Sequence, residues 1–170
     1  MNLTREEARH RSEIIKVERY HVRIDVRGAD ADGATHFTSN TRVRFSTTEP
    51  DTFLDLLDGE IGSVIVNGEE IEPEYDGSRI QLHGLHTHRE NLVIVTAKLP
   101  YQHTGQGLHR FVDPADGKVY LYTHFEAADS RRMYSVFEQP DLKAHVDFDV
   151  IAPSGWRVAS NQVHEDIREE

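Results

Sequence analysis

Alternating apolar and polar residues open the strand-forming part of the chain, which reads Tyr20-His21-Val22-Arg23-Ile24-Asp25-Val26. A period of two is typical of a strand with one face buried and the other in water. The turn-forming residues 28–33 follow, and residues 35–45 return with the same alternation. This stretch therefore predicts an antiparallel hairpin.

Further strand signals recur at short intervals. Asn67-Gly68 marks a tight hairpin turn, because both turn positions need a positive φ. Residues 92–97 lack polar alternation and are predicted to form a central strand covered on both faces. The remaining predicted strands cover residues 63–66, 79–82, 118–123, 146–150 and 156–159, with a short one at Ile71.

Helix signals are confined to two segments. Thr4 followed by Glu7 is a capping box, which predicts a helix from residue 4 to about residue 13. A second short helix is predicted over residues 127–133. Turn signals that recur so closely, with so little helix, predict a mainly β fold: one antiparallel β-sandwich or saddle domain with short helices, covering residues 1–170.

Composition excludes several functional classes. The chain has 19 basic and 30 acidic side chains and a net charge of −11, which argues against nucleic acid as a partner. It has no cysteine, so disulfides, thiol nucleophiles and cysteine-bound zinc are excluded. The charged N-terminus lacks the apolar stretch of a signal peptide, and no run reaches the roughly 18 apolar residues of a membrane span. We expect a cytoplasmic protein that does not contact membranes.

Eleven histidines raise the possibility of a metal site, and His83, His86 and His88 form the densest group. Zinc needs three or four ligands that rigid elements hold in place. These three lie in a predicted connection between strands, which favours a solvated loop. A small metal-binding protein that uses these histidines remains an alternative hypothesis.

Catalytic motifs are absent from the sequence. There is no HExxH, no nucleophile elbow, no phosphate-binding loop and no dinucleotide fingerprint. We therefore predict no catalytic residue, no metal ligand and no cofactor within this chain.

Residues 101–144 mix polar and apolar side chains without clean alternation, as binding loops on a β scaffold do. Glu126 stands between a predicted strand and the second predicted helix. The sequence fits two roles for Glu126, the binding of a ligand and a purely structural role. In the structural role, the negative charges of Glu126 and Asp129 stabilise the N-terminus of the predicted helix, and the positive charges of Arg131 and Arg132 stabilise its C-terminus.

The same segment resembles the N-terminal domain of the aminopeptidase N family of zinc peptidases, especially its actinobacterial branch. The resemblance extends over nearly the whole chain. The matching motifs include Tyr120-Leu121-Tyr122-Thr123, Phe125-Glu126-Ala127-Ala128-Asp129 with Arg131-Arg132, and Phe137-Glu138-Gln139-Pro140-Asp141-Leu142-Lys143-Ala144.

The resemblance implies a saddle-shaped β domain that packs against a catalytic domain of the same polypeptide, which holds the zinc. The parent protein is then expected to be a zinc metalloaminopeptidase acting on peptides with a free N-terminus, and this chain alone is expected to be inactive. The loop that ends at Glu126 is expected to bind substrate. Glu126 matches the glutamate that takes the substrate's α-ammonium, and His124 stands where the family usually has glutamine.

A different class of function stays open beside this one. The chain would then be a stand-alone β-sandwich module that binds other proteins and has no peptidase activity. If instead the domain packs against a catalytic domain, we expect it to expose an apolar patch on the packing face.

Overall fold

The computed structural model describes residues 2–162. Residues 163–170, the end of the predicted 1–170 domain, lie outside that description. The elements are α1 (Arg5–Ile14), β1 (Ile15–Asp25), β2 (His36–Thr47), β3 (Thr52–Asp55), β4 (Glu60–Val66), β5 (Glu69–Ile71), β6 (Arg79–Leu82), β7 (Asn91–Pro100), β8 (Gly107–Val112), β9 (Val119–His124), a 3₁₀ turn (Ser130–Arg132) and β10 (His145–Ile151). The predicted mainly β fold class is confirmed.

Helix α1 begins with the predicted capping box. The Glu7 amide donates to Thr4 Oγ1 at 3.2 Å, and the Thr4 amide donates to Glu7 Oε2 at 2.8 Å. Two of the amides that a helix N-terminus leaves without a partner are thereby satisfied.

A six-stranded sheet in the order β10-β1-β2-β7-β4-β5 forms the body of the domain. The predicted hairpin is confirmed, since β1 and β2 pair antiparallel with Tyr20 opposite Val43. The predicted turn is confirmed as well. Asn67 and Gly68 join β4 to β5 with φ of 53° and 93°, values that an asparagine and a glycine tolerate.

One face of the sheet supplies most of the core. Val22, Val43 and Val93 are fully buried there. They share a single apolar cluster with Leu54 of β3 and Ile80 of β6, two strands that form a separate antiparallel pair. Strand β7 is central, as predicted, but it is fully buried on one face only. Its other face, with Leu92 and Ile94, is half-buried.

One pairing departs from the predicted antiparallel arrangement. β10 lies parallel to β1, with Val22 opposite Phe148, at the edge of the sheet. Periodicity predicts a strand but not its direction, because both pairings place alternate residues on one face.

Two predicted elements are wrong. Residues 127–133 form only the 3₁₀ turn. The Glu138 carboxylate accepts from the Arg131 amide and the Arg131 guanidinium donates to the Ala128 carbonyl, two backbone groups that a longer helix would use. Residues 156–159 are not a strand, since the chain turns at Gly155, with φ of 81°, and the Trp156 amide donates to the Pro153 carbonyl. Strands β3 and β8 were not predicted.

No helix within residues 2–162 has the length and apolar character needed to cross a membrane.

Candidate functional site

The β8–β9 hairpin carries the candidate site to the edge of the domain. Its inner face is anchored by Leu108, which is buried, and by Arg110, whose Nε donates to the Ala29 carbonyl at 2.8 Å. Its outer face is aromatic and exposed, with Phe111 at 44%, Tyr120 at 47% and Tyr122 at 50% of their full accessibility. The hairpin thus presents a fixed surface towards solvent.

His124 is the last residue of β9 and lies opposite Gly107. Its side chain is exposed and shares the outer face with Tyr122, two residues earlier in the strand. Tyr122 in turn packs on His109, with ring centroids 4.7 Å apart. A row of rings therefore leads along the hairpin to His124.

Glu126 occupies the short loop that follows. The loop is closed by a hydrogen bond of 3.0 Å from the Asp129 amide to the Phe125 carbonyl, and the Glu126–Ala127 peptide bond is cis. The Phe125 ring packs edge-on against Tyr134, at 6.0 Å between centroids. The Glu126 carboxylate is exposed, and among residues 2–162 no partner hydrogen-bonds or ion-pairs with it.

Between Glu126 and residue 162 there is no α-helix whose N-terminus the Glu126 charge could stabilise. The 3₁₀ turn begins four residues later, and its capping residue, Asp129, makes no side-chain capping bond. The Asp129 carboxylate instead accepts a hydrogen bond of 2.7 Å from Arg132 Nε. The structural role considered for Glu126 and Asp129 therefore has little support in this geometry.

Arg131 lies beneath the loop and is buried, with 7% of its surface exposed. Its Nε donates to the Ala128 carbonyl at 2.9 Å, and its Nη2 donates to Asn2 Oδ1 at 2.8 Å. Its carbonyl accepts from the Leu57 amide at 2.8 Å. The arginine thus holds the backbone two residues beyond Glu126.

Glu138 supports Arg131 from the other side. Its carboxylate accepts hydrogen bonds from the Arg131 amide at 2.7 Å and from Ser130 Oγ at 2.6 Å. Burial raises the pKa of the Glu138 carboxyl, although these two donors oppose the shift. The Glu138 amide donates to Asp55 Oδ2 at 3.1 Å, which connects this segment to β3.

This buried support was not predicted from the sequence. Asp55 also accepts from Arg11 of α1, and Arg11 Nε donates to Gln139 Oε1 at 3.2 Å. The available signal was a charged and an amide side chain, Glu138 and Gln139, directly after the largely apolar stretch that ends at Phe137. Such residues are rarely buried without partners.

The three clustered histidines do not converge on a common point. His83 Nδ1 lies 3.0 Å from Asp51, a hydrogen bond that raises the pKa of the imidazole, whereas His86 Nε2 contacts Arg89. In the described part of the chain, no three His, Cys, Asp or Glu side chains are placed to hold a metal ion. The geometry therefore does not support the metal-binding hypothesis.

An exposed apolar face lies on β10. Val146 and Phe148 are each 43% exposed and Val150 is 38% exposed, although all three are on the core side of the sheet. Phe148 packs against Tyr134 at 5.7 Å, and Tyr134 also contacts Phe125 of the Glu126 loop. This apolar face therefore adjoins the candidate site.

A family model for the Peptidase M1 N-terminal domain matches residues 19–170. The chain belongs to this family. It is 46% identical over 164 residues to aminopeptidase N of Streptomyces lividans, an alignment that covers 94% of this chain and 19% of that protein. The family predicted from the sequence is thus confirmed, and this M1 N-terminal domain spans about a fifth of that relative's length.

Solved M1 enzymes share the fold. An M1 zinc metallopeptidase from Deinococcus radiodurans superposes with a TM-score of 0.71 at 16% identity, covering 92% of this chain and 37% of that one. A mutant M1 zinc metallopeptidase from the same organism, bound to a Tyr-Ser-Ala substrate, superposes with a TM-score of 0.70 at 15% identity. The superposition again covers 92% of this chain and 37% of that one. The zinc of these relatives has no counterpart set of ligands in residues 2–162 of this chain.

Proposed function

We propose that this M1 N-terminal domain is the non-catalytic, substrate-gating part of a zinc aminopeptidase. Its relatives are named as aminopeptidases and zinc metallopeptidases, and one was solved with a peptide bound. On this proposal, residues 1–170 form a saddle-like domain that packs against the catalytic domain of the same polypeptide. The substrates are peptides with a free N-terminus.

The observation that carries the proposal is the Glu126 carboxylate, which is exposed and has no partner among residues 2–162. An acidic side chain with no internal partner is available to a cation from outside. A peptide α-ammonium that leaves water beside this carboxylate gains a charge-assisted hydrogen bond. Because only a free N-terminus carries that charge, the contact selects for aminopeptidase substrates over internal peptide bonds.

His124 lines the approach to Glu126 in this proposal. It ends β9 on the exposed outer face, two residues before the carboxylate. A neutral imidazole has one donor and one acceptor, so it can contact the polar backbone of a bound peptide as an amide side chain would.

Zinc and the hydrolytic step belong to the catalytic domain in this account, since the described residues provide no metal site. The 170-residue chain by itself should therefore not hydrolyse aminoacyl anilides when zinc is added. Chelator-sensitive turnover that rises in proportion to the concentration of this chain would contradict the proposal.

The decisive test uses the full-length enzyme with Glu126→Gln. In the proposed enzyme the catalytic domain and the bound peptide cover this carboxylate. Loss of one partner of a charged pair buried in that way costs roughly 2–5 kcal/mol, which corresponds to a fall in kcat/KM of about 30-fold to several thousand-fold. Glu69→Gln is the matched control, because Glu69 is also exposed and unpaired among the described residues but lies on the distant β5 edge. Equal kinetics of the two variants would contradict the proposal.

A stand-alone protein-binding module is the second candidate, and the exposed apolar residues of β10 favour it equally. The remainder of the open reading frame separates the two. An HExxH motif downstream supports the aminopeptidase. Its absence, together with capture of a separate protein through β10, would support the binding module.

A further inference from the structure

We propose that Arg131 is the positioning residue of the Glu126 loop, and that the buried residues Glu138 and Asp55 hold it in place for this purpose. This inference rests on the proposed function, because it concerns the placement of the carboxylate that takes the substrate ammonium. Arg131 itself lies beneath the loop and makes no contact with substrate.

Two hydrogen bonds define the course of the loop around Glu126. The Asp129 amide donates to the Phe125 carbonyl at 3.0 Å, which closes the loop on itself. Arg131 Nε donates to the Ala128 carbonyl at 2.9 Å, which ties the loop to the body of the domain. Without the second bond, the closed turn loses this tie to the body of the domain and opens more often.

The anchor is itself rigid, because it is part of a buried chain of charged contacts. The Arg131 amide donates to the Glu138 carboxylate at 2.7 Å, and the Glu138 amide donates to Asp55 at 3.1 Å. Asp55 accepts two further bonds of 3.0 Å each from Arg11. Buried polar networks whose members are all bonded fix a single arrangement of the backbone.

Charge and shape both suit arginine for this position. The side chain is 7% exposed and has to reach a carbonyl through Nε and Asn2 through Nη2 at the same time. The planar guanidinium presents donors in fixed directions, whereas the ammonium of lysine is a point charge on a flexible stem. Arg131→Lys thus keeps the positive charge but loses the fixed directions of the Nε and Nη2 donors.

The test is a double-mutant cycle in the full-length enzyme with Arg131→Lys and Glu126→Gln. Because a misplacement of about 1 Å can cost about 100-fold, we expect Arg131→Lys to lower kcat/KM on free-amine substrates by about 10- to 100-fold. In the Glu126→Gln background the same change should alter kcat/KM by less than about twofold, since the two residues act as one unit.

A second readout is independent of activity. Hydrogen exchange of the Asp129 amide should be faster in Arg131→Lys, because the loop has lost its anchor. Arg79→Lys is the matched control. Arg79 is a half-buried arginine bonded to Glu7 and stacked on Phe53 at 4.2 Å, and it has no bond to the loop. It should change neither kinetics nor exchange at Asp129.

The outcomes separate the two claims. If Glu126→Gln leaves kcat/KM unchanged, the proposed function fails and this inference with it. If Glu126→Gln lowers kcat/KM but Arg131→Lys has no effect, or has the same effect in both backgrounds, only the positioning role of Arg131 is overturned.

Should Arg131→Lys fail to fold, Asn2→Ala is the second variant, because it removes an acceptor of Arg131 Nη2 at an exposed position. It should then lower kcat/KM a few-fold, again only when Glu126 is present.

Discussion

Arg11 and Asp55 form an ion pair in the interior of the domain, where they are 3% and 1% exposed. Nη1 and Nη2 of the arginine each donate to Asp55 Oδ2 at 3.0 Å, and the guanidinium also lies 4.8 Å from the centre of the Phe53 ring. The pair joins α1 to β3 and, through the Glu138 amide, to the segment that supports the Glu126 loop. The N-terminal helix is thereby a structural part of the candidate site.

Asp55→Asn should destabilise the domain strongly, because it leaves the Arg11 charge buried without a counter-charge. We expect the free energy of unfolding to fall by about 3–5 kcal/mol in chemical denaturation. Asp147→Asn is the control, since Asp147 pairs with Arg19 at the surface and should cost less than about 1 kcal/mol. Equal losses in the two variants would contradict the role given to the buried pair.

Glu7 should make stability depend on pH in the acid range. A hydrogen bond from Arg79, assisted by the Thr4 amide, lowers the pKa of its carboxyl from 4.5 to about 2. A carboxyl whose pKa is lowered by folding stabilises the protein above its unfolded pKa, and this contribution is lost as the pH falls towards the folded value.

The difference in unfolding free energy between wild type and Glu7→Gln should therefore be constant above about pH 5.5 and shrink as the pH falls below about 4.5. Denaturation of both proteins at several pH values measures it. A difference that stays constant down to about pH 3 would show that Glu7 does not contribute in this way.

The apolar face of β10 should make the 170-residue chain self-associate. Phe148 is 43% exposed between the exposed Val146 and Val150, and large contiguous apolar patches on monomers commonly mark an interaction surface. Sedimentation at rising concentration should show association that Phe148→Glu weakens. Thr38→Glu, at an exposed position on β2, should leave it unchanged. A wild-type chain that stays monomeric at high concentration would argue against a packing face here.

His124→Gln should be mild in the full-length enzyme, because glutamine retains a donor and an acceptor at the end of β9. We expect kcat/KM to remain within about threefold of wild type. His124→Leu, which removes both groups, should lower it further. A loss with His124→Gln as large as that of Glu126→Gln would show that the imidazole has a specific role.

Local patterns predicted much of this fold. The β1–β2 hairpin, the Asn67-Gly68 turn and the α1 capping box were all predicted correctly, because each depends on residues close in sequence. Strand β10 was predicted as a strand, but its parallel direction was not, because that direction depends on the path of the chain between β1 and β10. Strand β8 was missed because its solvent-facing side carries Phe111 beside His109, so apolar and polar residues do not alternate cleanly.

The candidate site shows the same division. Resemblance to a family singled out Glu126 and His124, and the structure places His124 at the exposed end of β9 and Glu126 in the exposed loop that follows. The buried support escaped prediction because its partners are distant in sequence. Arg11 and Asp55 are 44 residues apart, and Arg11 and Gln139 are 128 apart. On α1, an arginine in the last turn also suits the helix dipole, so the sequence offers no reason to bury it.

The central claim is that Glu126 recognises the substrate's α-ammonium, and a comparison of two inhibitors tests it most directly. One is a competitive inhibitor with a free α-amine, and the other is the same molecule without that amine. In the wild-type full-length enzyme the amine should tighten binding, and Glu126→Gln should reduce the ratio of the two inhibition constants by about 30-fold or more. If the ratio is the same in wild type and Glu126→Gln, Glu126 does not bind the ammonium and the account is wrong.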